Sequence, residues 1–563
     1  MICICFFLLL ILNLSPFPIQ SVLLTAHDFS KVADDLTNNN PPRINQDITD
    51  ITLFEVAAGR TWVYKGGIKQ EMGSYKDGFA VHQITKTVGD KGNPDYIMWV
   101  DEESGTYGMS EQPTGYSDSC INPGGMVEFD EDGYIYYTYG GRAVDLPLDL
   151  YKSDNPFDVY NFTKLLDDYE AEGASTGPTL WVKHGKVMLS WRYLASVNPG
   201  GKCRHRRYDT SDFSDYENQI DIGRGSIDVM HGDVGIEQQW TRYDPRYDKL
   251  LASFSYFDID PPLFGSVGWF ASYDYGDTWS KANGSLYQGL PKRYPVVDMP
   301  YDHIREGETT DWHPCEIALT PDGTPCMAMP IGVSAPGGRI FSTQLYFYKD
   351  GSWQTENNIG PSATSASFAI GATRNNFVHV YAKSQGKNKL RVRLSRDNGN
   401  TWNGPYVLDT LPPHSTIDFI SFFQPSDEYE NDYCRFMYSY YDNINDTKGH
   451  DNVKYISFNT AGEGIYPADG STDISLQPIC YVNVLDDEND TLTVYFYEKT
   501  TGQWILRQTN DNVQSGSTVY WGFTQAEFGC ATYHWAVRVT DGKEWTNEVF
   551  HFQTECKSFE LFE

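Results

Sequence analysis

Two octapeptides, SYDYGDTW at 272–279 and SRDNGNTW at 395–402, fit one pattern, Ser-x-Asp-x-Gly-x-Thr-Trp. A chain that repeats so particular a bend is built from repeated hairpins. Ser and Asp oxygens hydrogen-bond nearby backbone, Gly takes up a positive φ, and the final Trp needs apolar cover behind the bend. LYFYKDGSWQ (345–354) reads as a third, eroded copy. Around these bends a longer unit recurs: an apolar strand, an Asp-Gly or similar turn, an aromatic strand and a final strand. The units begin near Gly78, Asn122, Pro178, Trp240, His313, Phe368 and Phe422. Seven of them suit a ring of four-stranded sheets, with six or eight as the neighbouring counts. ITLFEVAAGRTWVYKGG (51–67) is placed to complete the last sheet and close the ring.

Composition agrees with an all-β chain. The 563 residues include 39 Tyr, 30 Phe, 14 Trp, 49 Gly and 29 Pro, which favour strands and turns over helices. From residue 473 the character changes to short alternating strands about as long as a small β-sandwich. The expected organisation is therefore a leader over 1–20, a repeat domain over 45–472 and a sandwich over 473–556. The leader rests on MICICFFLLLILNLSPFPIQS, whose apolar run is too short to span a bilayer. No second apolar span follows, so the expectation is a secreted or cell-surface protein. Four Asn-x-Ser/Thr triplets, at Asn161, Asn283, Asn445 and Asn489, are compatible with export and glycosylation.

Ten cysteines are present, eight of them after the leader, an even number that fits an oxidising compartment. Strands folded about the turn at Asp541-Gly542-Lys543 place Cys530 opposite Cys556, predicting a disulfide between them. Cys315 and Cys326 are too staggered about their own turn to pair.

The net charge is −33, from 43 Lys+Arg against 76 Asp+Glu. That argues against a nucleic-acid partner and makes any cationic cluster conspicuous. One occurs in GGKCRHRRYD (200–209), where Lys202, Arg204, His205, Arg206 and Arg207 surround Cys203. Read as a loop, this stretch admits three roles: an anion-binding lip, half of a zinc site through Cys203 and His205 with His184 or His231 as further donors, or a solvated loop that neutralises nearby acids. In the sandwich, Asp486-Asp487-Glu488-Asn489-Asp490 reads as a solvated turn or a Ca2+ loop.

The octapeptides resemble the Asp box, or BNR repeat, of sialidase-like β-propellers. That implies a seven-bladed propeller, followed here by what resembles a fibronectin type III or immunoglobulin-like domain. CINPGGMVEFDEDGYIYYTYGGRAVDLPLDLYKSDNPFDVYNF and TGPTLWVKHGKVMLSWRY further resemble the BNR-repeat propeller polysaccharide lyases, including ulvan lyases. The likeness is good over roughly 110–200 and looser elsewhere. It implies β-elimination at a uronate: a cationic or amide group neutralises the carboxylate, and His or Tyr moves the protons. Arg192 matches the family's carboxylate-binding Arg. The family's acid–base groups have no counterpart at Cys120-Ile121-Asn122, Gly140-Gly141-Arg142 or Thr176-Gly177-Pro178. Replacement groups are Tyr193, His231 and His313, with Asn122, Arg142, Arg204, Arg206 and Arg207 as substrate contacts. Tyr193 points away from Arg192 if both lie in one strand. The family often carries a structural zinc of His and Cys ligands, which Cys203 and His205 resemble.

The resulting expectation is a secreted carbohydrate-active propeller that cleaves or binds an acidic polysaccharide. Two alternatives stand beside it: a non-catalytic surface module that recognises glycans or proteins, and a sialidase-like hydrolase. The sialidase family's Phe-Arg-Ile-Pro tetrapeptide does not occur here.

Overall fold

The computed structural model describes residues 23–25, 43–44, 49–62, 73–86, 95–112, 126–139, 148–168, 173–195, 202–222, 234–259, 262–286, 316–335, 338–356 and, with short interruptions, 367–555. Every regular element among them is a β-strand, and none of them forms a helix long and apolar enough to cross a membrane.

The strands sort into seven antiparallel blades among the described residues. Blade 1 is Gly73–Lys76, Phe79–Lys86, Asp95–Asp101 and Thr106–Glu111. Blade 2 is Val127–Phe129, Ile135–Tyr139, Leu148–Ser153 and Phe162–Asp168. Blade 3 is Gly173–Lys183, Lys186–Ala195, Lys202–Asp209 and Asn218–Ile222. Blade 4 has Val234–Asp244, Lys249–Ile259 and Pro262–Ser272, with Ser280 bridging Ala271 as its outer rung. Blades 5 and 6 run from Glu316–Leu319 to Ser352–Glu356 and from Phe368–Ala372 to Asn403–Thr410. Blade 7 is Ser415–Pro425, Tyr433–Asp442 and Asp451–Asn459, completed from the other end of the chain by Thr49–Trp62. The closing strand is the one expected from 51–67. Blade 1 starts at Gly73 rather than near Gly78, because Asp77-Gly78 forms its first turn.

Blades packed on both faces need strands that are apolar on both faces. FVHVY (Phe377–Tyr381) and KLRVRLS (Lys389–Ser395) are buried at every position. Arg391 and Arg393 are buried with them: Arg393 donates to His379 Nδ1 at 3.0 Å and lies 4.2 Å over the Trp402 ring.

The seven innermost strands neighbour one another in ring order. Arg242, on the inner strand of blade 4 and only 4 % exposed, reaches past its own blade. Its Nη1 donates to the carbonyls of Ile317 in blade 5 (3.2 Å) and Ile370 in blade 6 (2.9 Å), and its guanidinium lies 4.7 Å from the Phe422 ring of blade 7. Gly371 permits this crowding, since a Cβ there would sit 2.2 Å from Phe422. One turn further on, Arg246 is clasped by Asp244 and donates to the carbonyls of Leu319 and Thr373.

Where blade 7 meets blade 1, Phe423 pairs in parallel with Gly73. Glu102 accepts from both Arg435 Nη2 (2.9 Å) and Tyr455 OH (2.8 Å), while Arg435 also donates to Tyr75 OH. Burial alone would raise the Glu102 carboxyl, but the Arg435 guanidinium and these hydrogen bonds outweigh it and hold it below the usual carboxylate range.

The sandwich follows. One sheet holds Ile479–Leu485 and Ser517–Gly522, with Arg43–Ile44 at its edge. The other holds Leu492–Thr500, Gln503–Val513, Thr532–Thr540 and Trp545–Thr554. Val482, Val484, Phe496, Trp521, Trp535 and Phe550 fill the space between them. The sandwich is tied to blade 6: Gly404 pairs with Asn547, Val549 N donates to Asn403 Oδ1 at 2.9 Å, and Tyr406 OH bonds buried Glu548.

Three expectations change. Residues 202–207 are a strand and not a loop, because their backbone pairs with Lys186–Ala195 on one edge and Asn218–Ile222 on the other. Cys326, Cys434 and Cys480 are buried as thiols in apolar clusters, so the eight cysteines after the leader do not all pair. Cys530 is disulfide-bonded, and its expected partner, Cys556, lies outside the described residues. The register pairs Thr532 with Gln553, one residue from the pairing that centring on Lys543 implies, because the turn centres between Gly542 and Lys543.

Arg242→Met removes a buried donor from two carbonyls and should destabilise the propeller by about 2–4 kcal/mol. The check is the denaturation midpoint followed by Trp fluorescence; an unchanged midpoint removes Arg242 from the ring's framework. For Glu102, a carboxyl depressed in the folded state contributes stability above its unfolded pKa of about 4.3 and loses it as pH falls through the folded value. The difference in melting temperature between wild type and Glu102→Gln should therefore be full at neutral pH and shrink in acid. A difference that does not change with pH contradicts this.

Candidate functional site

Each blade's inner strand starts at one end of the ring, and the second strand returns to it. That end, called the entry end here, carries the starts of first and third strands and the ends of second strands. The opposite end carries the first turns and the octapeptide turns. In sequence, Asn122 precedes Val127–Phe129, Arg142 follows Ile135–Tyr139, His231 precedes Val234–Asp244 and His313 precedes Glu316–Leu319. Arg192 and Tyr193 close Lys186–Ala195, and Cys203 and Arg204 open Lys202–Asp209. Every one of these strand termini lies at the entry end. Asn122, Arg142, His231 and His313 are outside the described residues, as are the side chains of Arg192, Tyr193, Cys203 and Arg204. The backbone register pairs Arg192 with Cys203 and Thr176, and Tyr193 with Lys202 and Ser175.

Further along the same strand the side chains are described, and each has partners within the protein. His205 is 3 % exposed, its Nδ1 lies 2.7 Å from Ser190 Oγ, and its ring packs 5.3 Å from Trp279 of the first octapeptide. Those neighbours are a hydroxyl and an indole. Among the described residues no group of three His, Cys, Asp or Glu is placed to hold a metal ion; the Cys203 side chain and His231 lie outside them. Arg206, also 3 % exposed, donates to Gln219 Oε1 at 2.7 Å and lies between the rings of Trp191 and Tyr216. Arg207 pairs with Glu217 and Asp277, each at 3.0 Å, and donates to the carbonyls of Asp274 and Tyr275. Arg206 and Arg207 are thus framework groups, the second fastening blade 3 to the octapeptide turn of blade 4. The lip expected of the whole 202–207 stretch narrows to its first residues.

The octapeptide turn explains its own sequence. Ser272 Oγ accepts from Gly276 N at 2.7 Å, and Asp274 accepts from the Thr278 amide and hydroxyl at 2.7 and 2.6 Å. Gly276 takes φ +90°, where a Cβ would also strike Met188. Trp279 is buried to 1 % behind it. The second copy repeats the key bond, Gly399 N to Ser395 Oγ at 2.7 Å, with Trp402 fully buried.

Beside the first turn, at the end away from the predicted site, lies a polar cluster drawn from three separate stretches of the sequence. Asp248 accepts from Tyr243 OH (2.7 Å) and Tyr275 OH (2.8 Å), with His184 Nε2 at 3.1 Å. His184, Asp248 and Tyr275 all have positive φ, between 46° and 55°, so the hydrogen bonds hold strained turns. Burial and the Asp248 carboxylate push the Tyr275 phenol up to about 12, keeping it a donor at neutral pH. Burial would raise Asp248, but the bonds from Tyr243, Tyr275 and His184 outweigh it and lower it. The cluster joins the first turns of blades 3 and 4 to the octapeptide. In the sandwich, Asp490 of the acidic run pairs with Lys543 and donates its amide to Asp486 Oδ1 at 2.7 Å, the arrangement of a capped turn.

No family model matches the chain, and no curated protein matches it. Solved structures do match in fold. An ulvan lyase of a polysaccharide lyase family, bound to -[GlcA(1-4)Rha3S]-, superimposes with a TM-score of 0.51 over 71 % of this chain and 95 % of its own, at 14 % identity. The structure of ulvan lyase without that ligand gives the same values. What is shared at this identity is the fold: the chain is a β-propeller.

Arg207→Ala should lower thermal stability, since it frees Glu217 and Asp277 and uncaps two carbonyls, and should leave affinity for uronate oligosaccharides unchanged. Titration calorimetry beside a melting curve checks both. Lost affinity at unchanged stability would return Arg207 to the binding lip.

Proposed function

We propose that the chain is an exported, carbohydrate-active propeller that binds an acidic, uronate-bearing polysaccharide at the entry end. What carries this reading is the grouping there, in a chain of net charge −33, of the strand termini that hold or flank Arg142, Arg192, Lys202 and Arg204. A polyanion approaching so acidic a protein needs a local cationic site, and arginine holds carboxylates and sulfates bidentately. The ulvan lyase of similar fold, whose structure holds a glucuronate-containing ligand, supports a ligand of the same class.

In this reading Arg192 neutralises the uronate carboxylate. Neutralisation makes the adjacent C–H acidic and stabilises the enolate-like charge that forms when it is lost. His231, His313 and Tyr193 are the groups proposed to take that proton and return one to the leaving oxygen. One observation favours a second reading, a propeller that binds the same glycan without cutting it. The related lyases' His and Tyr positions are occupied here by Cys120-Ile121-Asn122, Gly140-Gly141-Arg142 and Thr176-Gly177-Pro178.

Incubation with a panel of uronate polysaccharides, followed by the ultraviolet absorbance of the unsaturated product, separates the two. The lyase reading predicts product, with Arg192→Ala lowering the rate on the order of 100-fold. Binding without product leaves the non-catalytic reading, and neither binding nor product overturns both.

A further inference from the structure

The small sandwich presents an aromatic strip that the propeller reading does not use. Along Ile479–Leu485 the residues alternate inward and outward: Cys480, Val482 and Val484 are buried, while Ile479, Tyr481 and Asn483 face out. Along Ser517–Gly522, Val519 and Trp521 are buried and Thr518, Tyr520 and Gly522 face out. The register sets Ile479 opposite Gly522, Tyr481 opposite Tyr520 and Asn483 opposite Thr518. Tyr466 joins from a separate segment through a bridge to Tyr481. Three tyrosines therefore stand in a row across one outer face. The Tyr466 and Tyr481 rings are nearly parallel (16°) with centroids 5.9 Å apart, and Tyr520 follows at 5.7 Å, tilted by 54°.

These rings are not core residues that happen to be near the surface. Tyr466 is 39 % exposed, Tyr520 58 % and Ile479 61 %, while the sandwich core lies on the other side of the same strands. A Cβ at Gly522 would meet nothing within 4 Å, so the shelf beside Tyr520 and Ile479 is open. At the opposite end of the row, Thr518 Oγ1 donates to Asn483 Oδ1 at 2.5 Å. That bond fixes the amide with its N–H groups turned away, and among the described residues they have no protein partner.

We propose that this strip is a glycan-binding surface for a neutral polysaccharide, separate from the site at the entry end of the propeller. Tyrosine rings stack on the C–H faces of sugars and lose little side-chain freedom in doing so. A row of ring-sized steps suits successive residues of an extended chain, and the tilt of Tyr520 suits one that twists. Asn483 and Thr518 supply the polar contact that fixes orientation. Charge decides the class of glycan. Ile479, Tyr481, Asn483, Thr518, Tyr520 and Gly522 are all uncharged, in a chain of net charge −33. These residues offer no cation to a polyanion, and the net charge of the chain disfavours one there.

Affinity electrophoresis of the full chain through gels cast with neutral polysaccharides (a β-glucan, a galactomannan, a xylan and a hydroxyethylcellulose) tests the proposal. Retardation by at least one of them is expected, weakened about tenfold in affinity for each ring removed in Tyr481→Ala and Tyr520→Ala, with the melting temperature unchanged. Gly522→Gln, which truncates nothing and covers the open shelf, should weaken binding as well. Arg192→Ala should not affect it, so failure here and failure of the propeller reading are distinguishable. No retardation by any of the gels overturns the proposal, as does retardation that survives the Tyr481→Ala/Tyr520→Ala double variant. Self-association abolished by that double variant would mark the strip as a contact between copies and overturn it too.

Discussion

The pairing of Thr49–Trp62 with Asp451–Asn459 is the contact on which the rest of the molecule depends. A ring of blades is held by the burial of each sheet against its neighbours, and that burial is complete only when the last blade has its outer strand. Strands more than 350 residues apart in sequence meet there, with Leu53 opposite Ile456 and Phe54 opposite Tyr455. The Tyr455 ring then packs on Phe423, and its hydroxyl reaches Glu102 of blade 1. Closure therefore connects a backbone ladder, an apolar seam and an ion pair at one junction. Arg242 acts at the centre of the ring as that junction acts at its perimeter, bonding blades 5 and 6 from blade 4.

A ring closed in this way divides labour between its ends. The end with the octapeptides is bound up in itself: Asp274 caps its own turn, Asp248 holds side chains from two neighbouring turns and from its own blade's inner strand, and Arg207 spans from blade 3 to blade 4. These three groups have a structural reason to exist. The entry end collects strand termini that in sequence hold or flank Arg142, Arg192, Lys202 and Arg204. Rigid strands that deliver side chains to one rim are what a binding site needs, because little order remains to be imposed when the ligand arrives.

Much of the fold could be read from residues alone, because its signals are local. The octapeptides encode a turn through Ser, Asp and Gly, and the apolar strands encode blades packed on both sides. The candidate site was read less well because its partners are not local. Lys202–Arg207 looks like a basic loop, since five of its six residues carry or can gain positive charge. Nothing nearby in sequence says that Arg206 lies between Trp191 and Tyr216, or that Arg207 meets Asp277 from another blade. Asp248, His184 and Tyr275 come from three separate turns and were missed for the same reason. The tyrosine strip did leave a trace, in the alternation of Ile479, Tyr481 and Asn483 against Thr518, Tyr520 and Gly522. Reading it required the register that pairs them and the bridge that adds Tyr466.

Hydrogen–deuterium exchange with and without a saturating uronate oligosaccharide tests the central claim most directly, because it locates the ligand without assuming which residues hold it. The account predicts slowed exchange at the entry end of blade 3, in peptides covering Gly173–Lys183, the close of Lys186–Ala195 and the start of Lys202–Asp209, with the octapeptide turns unchanged. Protection confined to the octapeptide end, or to the sandwich, would contradict it.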